Sequence, residues 1–193
     1  MDDRARKQND DENLSGESPA PGDILLNEAE IAETVARLGA EISRDYEGRN
    51  PILVNLLKGG VIFMADLIRK LTIPHQLEFM SVSSYEGSET RSSGNVRIIE
   101  DLSCSVEGRD VLVVEDVIDT GTTLAYIREV LQLRHPKSIE ICTLLRKESP
   151  DRTGITVKYV GHDIPDVFVV GYGLDHDEQF RNLPHIAKLE PSA

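Results

Sequence analysis

The residue types that could do chemistry concentrate in residues 111–123, VLVVEDVIDTGTT. Three carboxylates, Glu115, Asp116 and Asp119, fall within five residues at the end of an apolar run. Packed so closely they repel one another, unless a cation or a hydroxyl-rich ligand comes between them. Asp119-Thr120-Gly121-Thr122-Thr123 then opens a helical stretch. Free backbone N–H groups at a helix start bind an anion, and Gly121 lets a phosphate approach the main chain. The threonine hydroxyls add donors. The plainer reading makes Asp119 or Thr120 a helix cap and the acid pair a solvated strand end. It accounts for any one of these residues but not for the set. The loop lacks the lysine of GxxxxGK[ST], which argues against an ordinary nucleoside-triphosphatase loop.

Other candidates stand alone more weakly. Lys58 follows an apolar strand and precedes Gly59 and Gly60, so its main chain can bend sharply toward a ligand. Lys147 lies just past the apolar run IEICTLL. Phe168 and Val169 read first as core strand residues, and Asp175 and Arg181 follow GYGL outside any strong helical period. Each of these also has a structural reading as a turn, a strand end or core. Residues 86–94, EGSETRSSG, carry no large apolar side chain and read as a mobile surface loop of the kind that often serves function.

The elements that must position these groups follow from periodicity. From Asn27 onward Ile31, Val35, Leu38, Ile42 and Tyr46 recur at three- and four-residue steps, predicting a helix that stops by Gly48 or Pro51. Asn27 and Glu30 form a capping pair at its start. PILVNLL, HQLEFMSVSSY, NVRIIE, VLVVE, SIEICTLL, TVKYVG and VFVVGY read as strands, and VIFMADLIRKL and TTLAYIREVLQLRH as helices. Strands alternating with helices through the middle of the chain imply a parallel α/β sheet with right-handed crossovers. Ligands in such sheets bind beyond the carboxyl ends of the strands, where residues 115–123 fall.

Composition bounds the rest. At 193 residues the chain suits one domain that buries roughly 70% of its unfolded surface. Its formal charge of -13 argues against a general nucleic-acid binder. No apolar run approaches the ~18 residues that span a bilayer, and the N-terminus lacks the apolar core of a secretory signal. Residues 1–22 carry six acids and three bases and read as a disordered acidic tail ahead of a single domain over 23–193. Two cysteines cannot build a zinc cage or a disulfide framework; Cys142 reads as buried and Cys104 as lying on a turn. An intracellular location is expected.

VLVVEDVIDTGTT resembles the phosphoribosyl-diphosphate signature of type I phosphoribosyltransferases. The resemblance spreads to LLKGG at 56–60, SYEGSETRSSG at 84–94, LLRK at 144–147 and residues 160–186, which are similar to the purine-recognising end of the hypoxanthine and hypoxanthine-guanine branch. It implies a mainly parallel twisted sheet flanked by helices, with a small hood made from the N- and C-terminal segments. It also implies 5-phosphoribosyl-1-diphosphate and hypoxanthine or guanine as substrates, Mg²⁺ as cofactor, a cytoplasmic salvage role, and a homodimer or homotetramer. No nucleic acid or membrane partner follows from it.

By the same resemblance Asp119 is the general base at purine N7, and Glu115 and Asp116 meet the ribose hydroxyls and, with Asp175, Mg²⁺. Asp119, Thr120, Gly121, Thr122 and Thr123 hold the 5′-phosphate. Lys58, Gly59 and Arg181 contact the diphosphate. Lys147 meets the purine 6-oxo group, Phe168 stacks on the ring, Val169 reads the base edge, and Asp175 completes that side. Ser84 and Tyr85 form a lid that excludes water from an oxocarbenium-like centre. One position departs from the pattern. Many relatives carry an arginine a few residues after the purine-site lysine, whereas this chain has Asp151 there and Arg152 next to it. Two rival functions share the scaffold: the same enzyme acting on xanthine or a pyrimidine, and a regulator that senses nucleotide and binds RNA.

Overall fold

The stripe Ile31, Val35, Leu38 and Ile42 is the buried face of α1 (Glu28–Asp45), and Tyr46 closes the helix as its C-cap. Asn27 Oδ1 accepts from the N–H groups of Ala29 and Glu30 at 2.9 and 3.0 Å, and Glu30 Oε2 accepts from Asn27 N at 2.8 Å. This reciprocal capping box fixes where the helix begins. A computed structural model describes residues 20–84, 96–148 and 153–190.

β2 (Ile52–Leu57), β5 (Asp110–Ile118) and β6 (Ser138–Lys147) run parallel at the centre of a six-stranded sheet. β5 shows why its sequence is apolar without alternation. Val111 and Val113 face the core shared with α3 (Thr122–Gln132), while Leu112 and Val114 face the core shared with α1 and α2 (Val61–Ile68). A strand covered on both faces has no polar side to show. β7 (Tyr159–Ile164) and β3 (Gln76–Ser84) extend the parallel sheet, and β4 (Val96–Glu100) pairs antiparallel at one edge, giving the order β4-β3-β2-β5-β6-β7. The carboxyl ends of β2, β5 and β6 therefore lie together and deliver Lys58, Asp119 and Lys147 to one side.

The hood is a separate antiparallel sheet, β1 (Ala20–Leu26), β9 (Ile186–Glu190) and β8 (Val169–Val170), in that order. β1 begins at Ala20, inside the stretch assigned to the tail, and pairs there with Glu190. The remainder of that tail lies outside the described residues. The strand expected over VFVVGY shrinks to two residues because the chain turns at once: Gly171, Tyr172 and Gly173 all have positive φ, at 98°, 51° and 102°. No strand geometry accommodates that run. Both cysteines are free; Cys142 is buried, and burial pushes its thiol well up, while Cys104 is partly covered. No helix among the described residues is long and apolar enough to cross a membrane.

Candidate active site

β5 carries Glu115 and Asp116 to the end of the sheet, and both are pressed into the protein. Asp116 is 7% exposed, its Oδ1 accepting from Val117 N at 2.7 Å. Glu115 Oε2 is buried with no hydrogen-bond partner among the described residues. Burial, and then the Asp116 carboxylate, push Glu115 well above the usual range. Burial likewise pushes Asp116 up to about 6, with Asp175 adding to the effect and main-chain hydrogen bonds and Arg181 opposing it. Neither carboxyl is in an ion pair among the described residues, so most of the cost of burying them is uncompensated.

The turn that follows is built around Gly121. It is the N-cap of α3 at φ 74°, and as a glycine it offers no side chain to the first N–H groups. Asp119 is therefore not the N-cap, and Thr120 meets the helix only through its hydroxyl, one residue ahead of the cap. The helix's first i→i−4 bond runs from Ala125 N to Gly121 O at 2.9 Å, so earlier N–H groups lack intrahelical acceptors. Thr120 Oγ1 lies 3.0 Å from Thr122 Oγ1, and the Thr122 N–H donates to Thr120 at 3.5 Å. Hydroxyls and main-chain donors thus crowd one helix start, the arrangement that suits a phosphate.

Across from it, the Leu57–Lys58 peptide is cis and Gly59 lies against Asp116. A Cβ on Gly59 would come within 1.8 Å of Asp116 Oδ2, and one on Gly173 within 2.1 Å of Gly59 O. Only glycines let β5, the 58–60 loop and the hood meet here. Arg181 reaches in from the hood side. Its Nη1 donates to Gly173 O and Asp175 Oδ1, both at 2.8 Å, and its Nε is buried without a partner among the described residues. Glu178 bridges the cations, with Oε1 2.8 Å from Lys58 Nζ and Oε2 3.1 Å from Arg181 Nη2. Lys58 and then Arg181 hold its carboxyl below the usual range.

On the third side Lys147 Nζ lies 3.1 Å from Asp119 Oδ2 and 3.5 Å from Asp166 Oδ1. The Lys147 side chain is 12% exposed and that of Asp119 54%. Phe168 stands half exposed with its ring edge-on to His176, centroids 5.5 Å apart, while Val169 is buried in β8. A cavity of about 320 Å³ joins Lys58, Gly59, Asp116, Asp119, Lys147, Phe168, Val169, Asp175 and Arg181. A larger one of about 630 Å³ lies between α1, α2 and residues 182–184 and contains none of the predicted site residues. The chemistry selects the smaller.

Glu115 and Thr120–Thr123 are not in that cavity's lining, although they belong to the strand and turn that border it. Ser84 ends β3, and Tyr85 lies outside the described residues, as do Asp151 and Arg152. Glu115, Asp116 and Asp175 do not assemble into a cluster of three metal-ligating side chains among the described residues. Four residues were not singled out from sequence: Asn55, Asp166, Glu178 and His176. Of these only Asn55 left a signal, as the one polar residue in the apolar strand ILVNLL. It is fully buried, donates from Nδ2 to Val114 O at 3.1 Å, and lies under Gly60.

Comparison with known proteins identifies the family. Residues 21–177 match the model of the phosphoribosyl transferase domain. The chain is 49% identical over 180 residues to the hypoxanthine-guanine phosphoribosyltransferase of Mycobacterium avium, covering 89% of this chain and 88% of that one. It is also 49% identical over 169 residues to the Bacillus subtilis enzyme of the same name, covering 88% and 93%. The crystal structure of a hypoxanthine phosphoribosyltransferase from Staphylococcus aureus superposes with a TM-score of 0.84 at 48% identity, over 89% of this chain and 92% of that one. With the fold and most of the chain's length in agreement, the chain belongs to the phosphoribosyltransferase family, among its hypoxanthine-guanine members.

Proposed function

We propose that the chain transfers a phosphoribosyl group from 5-phosphoribosyl-1-diphosphate to hypoxanthine or guanine, releasing diphosphate, in cytoplasmic purine salvage. The N9–C1 bond forms and the C1–diphosphate bond breaks, with inversion at C1 and the N7 proton passing to Asp119. The observation that carries this reading is the pairing of Lys147 Nζ and Asp119 Oδ2 at 3.1 Å beside Phe168. A 6-oxopurine presents O6 and N7 side by side on one edge. A donor next to an acceptor answers that edge, with Lys147 giving to O6 and Asp119 taking the proton from N7. Adenine has an amino donor at position 6, which would meet the lysine donor to donor. Phe168 offers its exposed ring to the base, and the main chain at Val169 meets the base edge.

The start of α3 holds the 5′-phosphate through Thr120, Gly121, Thr122 and Thr123. Lys58, Gly59 and Arg181 hold the diphosphate. Glu115 and Asp116 take the ribose hydroxyls, and Ser84 with Tyr85 closes over the reaction. The raised pair Glu115 and Asp116 also fits a hard divalent cation, as does Asp175. Two or three carboxylates with substrate oxygens suffice for Mg²⁺, which needs no all-protein cage. When bound, the ion neutralises charge on the leaving diphosphate. The domain, with β1 from Ala20 included, serves as one catalytic unit, assembled as a homodimer or homotetramer.

The test is a nucleotide-forming assay with Mg²⁺ and phosphoribosyl diphosphate, run in parallel on hypoxanthine, guanine, xanthine, adenine, uracil and orotate. Turnover of hypoxanthine is expected, and the guanine-to-xanthine ratio fixes the subclass. Silence on all six, from folded protein that still binds phosphoribosyl diphosphate, would favour a nucleotide-sensing regulator.

A further inference from the structure

Glu178 stands between the two cations that the proposed reaction assigns to the diphosphate. Its Oε1 lies 2.8 Å from Lys58 Nζ and its Oε2 3.1 Å from Arg181 Nη2, so one carboxylate spans both. The position is built rather than casual. Glu178 has φ 62° and its neighbour Asp177 φ 50°, a left-handed conformation that glutamate seldom adopts. Its own N–H is tied to Asp175 Oδ2 at 2.9 Å, which holds the turn against the site. The side chains of Lys58 and Glu178 are both about two-thirds exposed, at 68% and 64%. Exposed ion pairs are weak and exchange readily. Arg181, by contrast, is anchored by Gly173 O and Asp175, and keeps a buried Nε free of protein partners among the described residues.

We infer that Glu178 is an intramolecular competitor for the diphosphate site, a carboxylate that incoming diphosphate must displace from Lys58 and Arg181 and that takes both back as diphosphate leaves. The inference rests on the reading of Lys58, Gly59 and Arg181 as diphosphate contacts. A competitor of this kind lowers apparent affinity by the fraction of time it holds the cations. It therefore limits how long product diphosphate stays, without touching the purine.

The experiment is calorimetric binding of inorganic diphosphate with Mg²⁺ to the full chain and to four variants, each checked for an unchanged thermal transition. Glu178→Gln removes the charge. Glu178→Asp keeps the charge but is one methylene too short to span both cations. Asp177→Asn removes a charge of the same sign one residue away, on a side chain that is 85% exposed and contacts His176. Lys58→Ala tests the site itself. Glu178→Gln and Glu178→Asp are both expected to bind diphosphate about tenfold more tightly, and Asp177→Asn to change affinity less than about twofold. Slower diphosphate release should accompany the tighter binding.

Equal tightening in Glu178→Gln and Asp177→Asn with wild-type affinity in Glu178→Asp would reduce the effect to bulk charge and overturn the inference. Weaker binding in Glu178→Gln would overturn it too, by making the carboxylate a support that positions the cations. In both cases loss of binding in Lys58→Ala leaves the diphosphate reading standing. If wild-type protein fails to bind diphosphate, that reading falls and the inference with it.

Discussion

At the amino ends of the parallel strands Asp45 and Asp110 are both answered. Asp45 accepts from the Tyr159 hydroxyl at 2.9 Å and lies 3.1 Å from Lys158 Nζ. Asp110 accepts from Ser138 Oγ at 2.7 Å, with Arg49 and Lys137 at 3.8 and 3.5 Å. The hydroxyl of Tyr159 and then Lys158 hold Asp45 below its usual range. At the carboxyl end of β5 the same residue types are left wanting. Glu115 Oε2 has no partner among the described residues, and burial raises both Glu115 and Asp116. Asp45 and Asp110 help hold the fold, whereas the buried pair at the end of β5 is left uncompensated. Unmet charge of this kind marks functional sites because stability alone would remove it.

The sharpest way to break the contrast is at Asp119. Asp119→Asn should lower turnover by ~10²–10⁴-fold with little loss of nucleotide binding, since only proton acceptance is removed. Steady-state kinetics beside equilibrium binding of the nucleotide product separates the two. Near wild-type turnover would remove Asp119 as the base.

Asp116 tests the cost of the stored charge directly. Burial that lifts its carboxyl from 3.8 to about 6 costs the fold about 3 kcal/mol once the group is ionised. The cost is absent below pH 3.8, where folded and unfolded chains are both protonated, and complete above pH 6. Asp116→Asn should therefore stabilise the protein at pH 7 by about 2–3 kcal/mol, measured by denaturant unfolding without metal or substrate, while turnover falls. Destabilisation instead would mean that Asp116 is satisfied as it stands.

Asp45 is the mirror case, with the opposite sign. Asp45→Ala should cost about 1 kcal/mol at pH 7, through the lost hydrogen bond and ion pair. Because the folded group is depressed, that contribution is present above pH 3.8 and disappears as pH falls through its lower folded value. The wild-type and variant unfolding curves should therefore converge in acid.

What could be read from sequence divides along the same line. The α1 stripe, the apolar run of β5 and the residues of 119–123 are local patterns, since periodicity and turn chemistry live within a few neighbours. The need for glycine at 59 is different: it is imposed by Asp116, which arrives from another strand. Glu178 sits in a stretch with no helical or strand period, and its bridge to Lys58 exists only once the hood packs on the sheet. β9 went unread because IAKLE carries no signal apart from its pairing with β1 and β8. β8 is shorter than its apolar run because positive φ values end it from Gly171 onward, in a turn tied down from outside the run, where the Leu183 carbonyl accepts from Tyr172 N at 2.9 Å.

The smallest effect tests whether the sheet's two ends are independent of the hood. The capping box at Asn27 follows directly on β1, so it fixes both the start of α1 and the departure of the hood strand. Asn27→Ala removes two hydrogen bonds to the N–H groups of Ala29 and Glu30, at a cost of about 1 kcal/mol. For a chain of this length that should lower Tm by about 2–4 °C. Ile31 and Val35, one and two turns on, remain fully packed in the core and hold the helix in place. Turnover at 25 °C should therefore stay at the wild-type value while Tm falls. A parallel drop in turnover would mean that the cap transmits through β1 to Val169 and Arg181, making the hood's position part of the site rather than a roof over it.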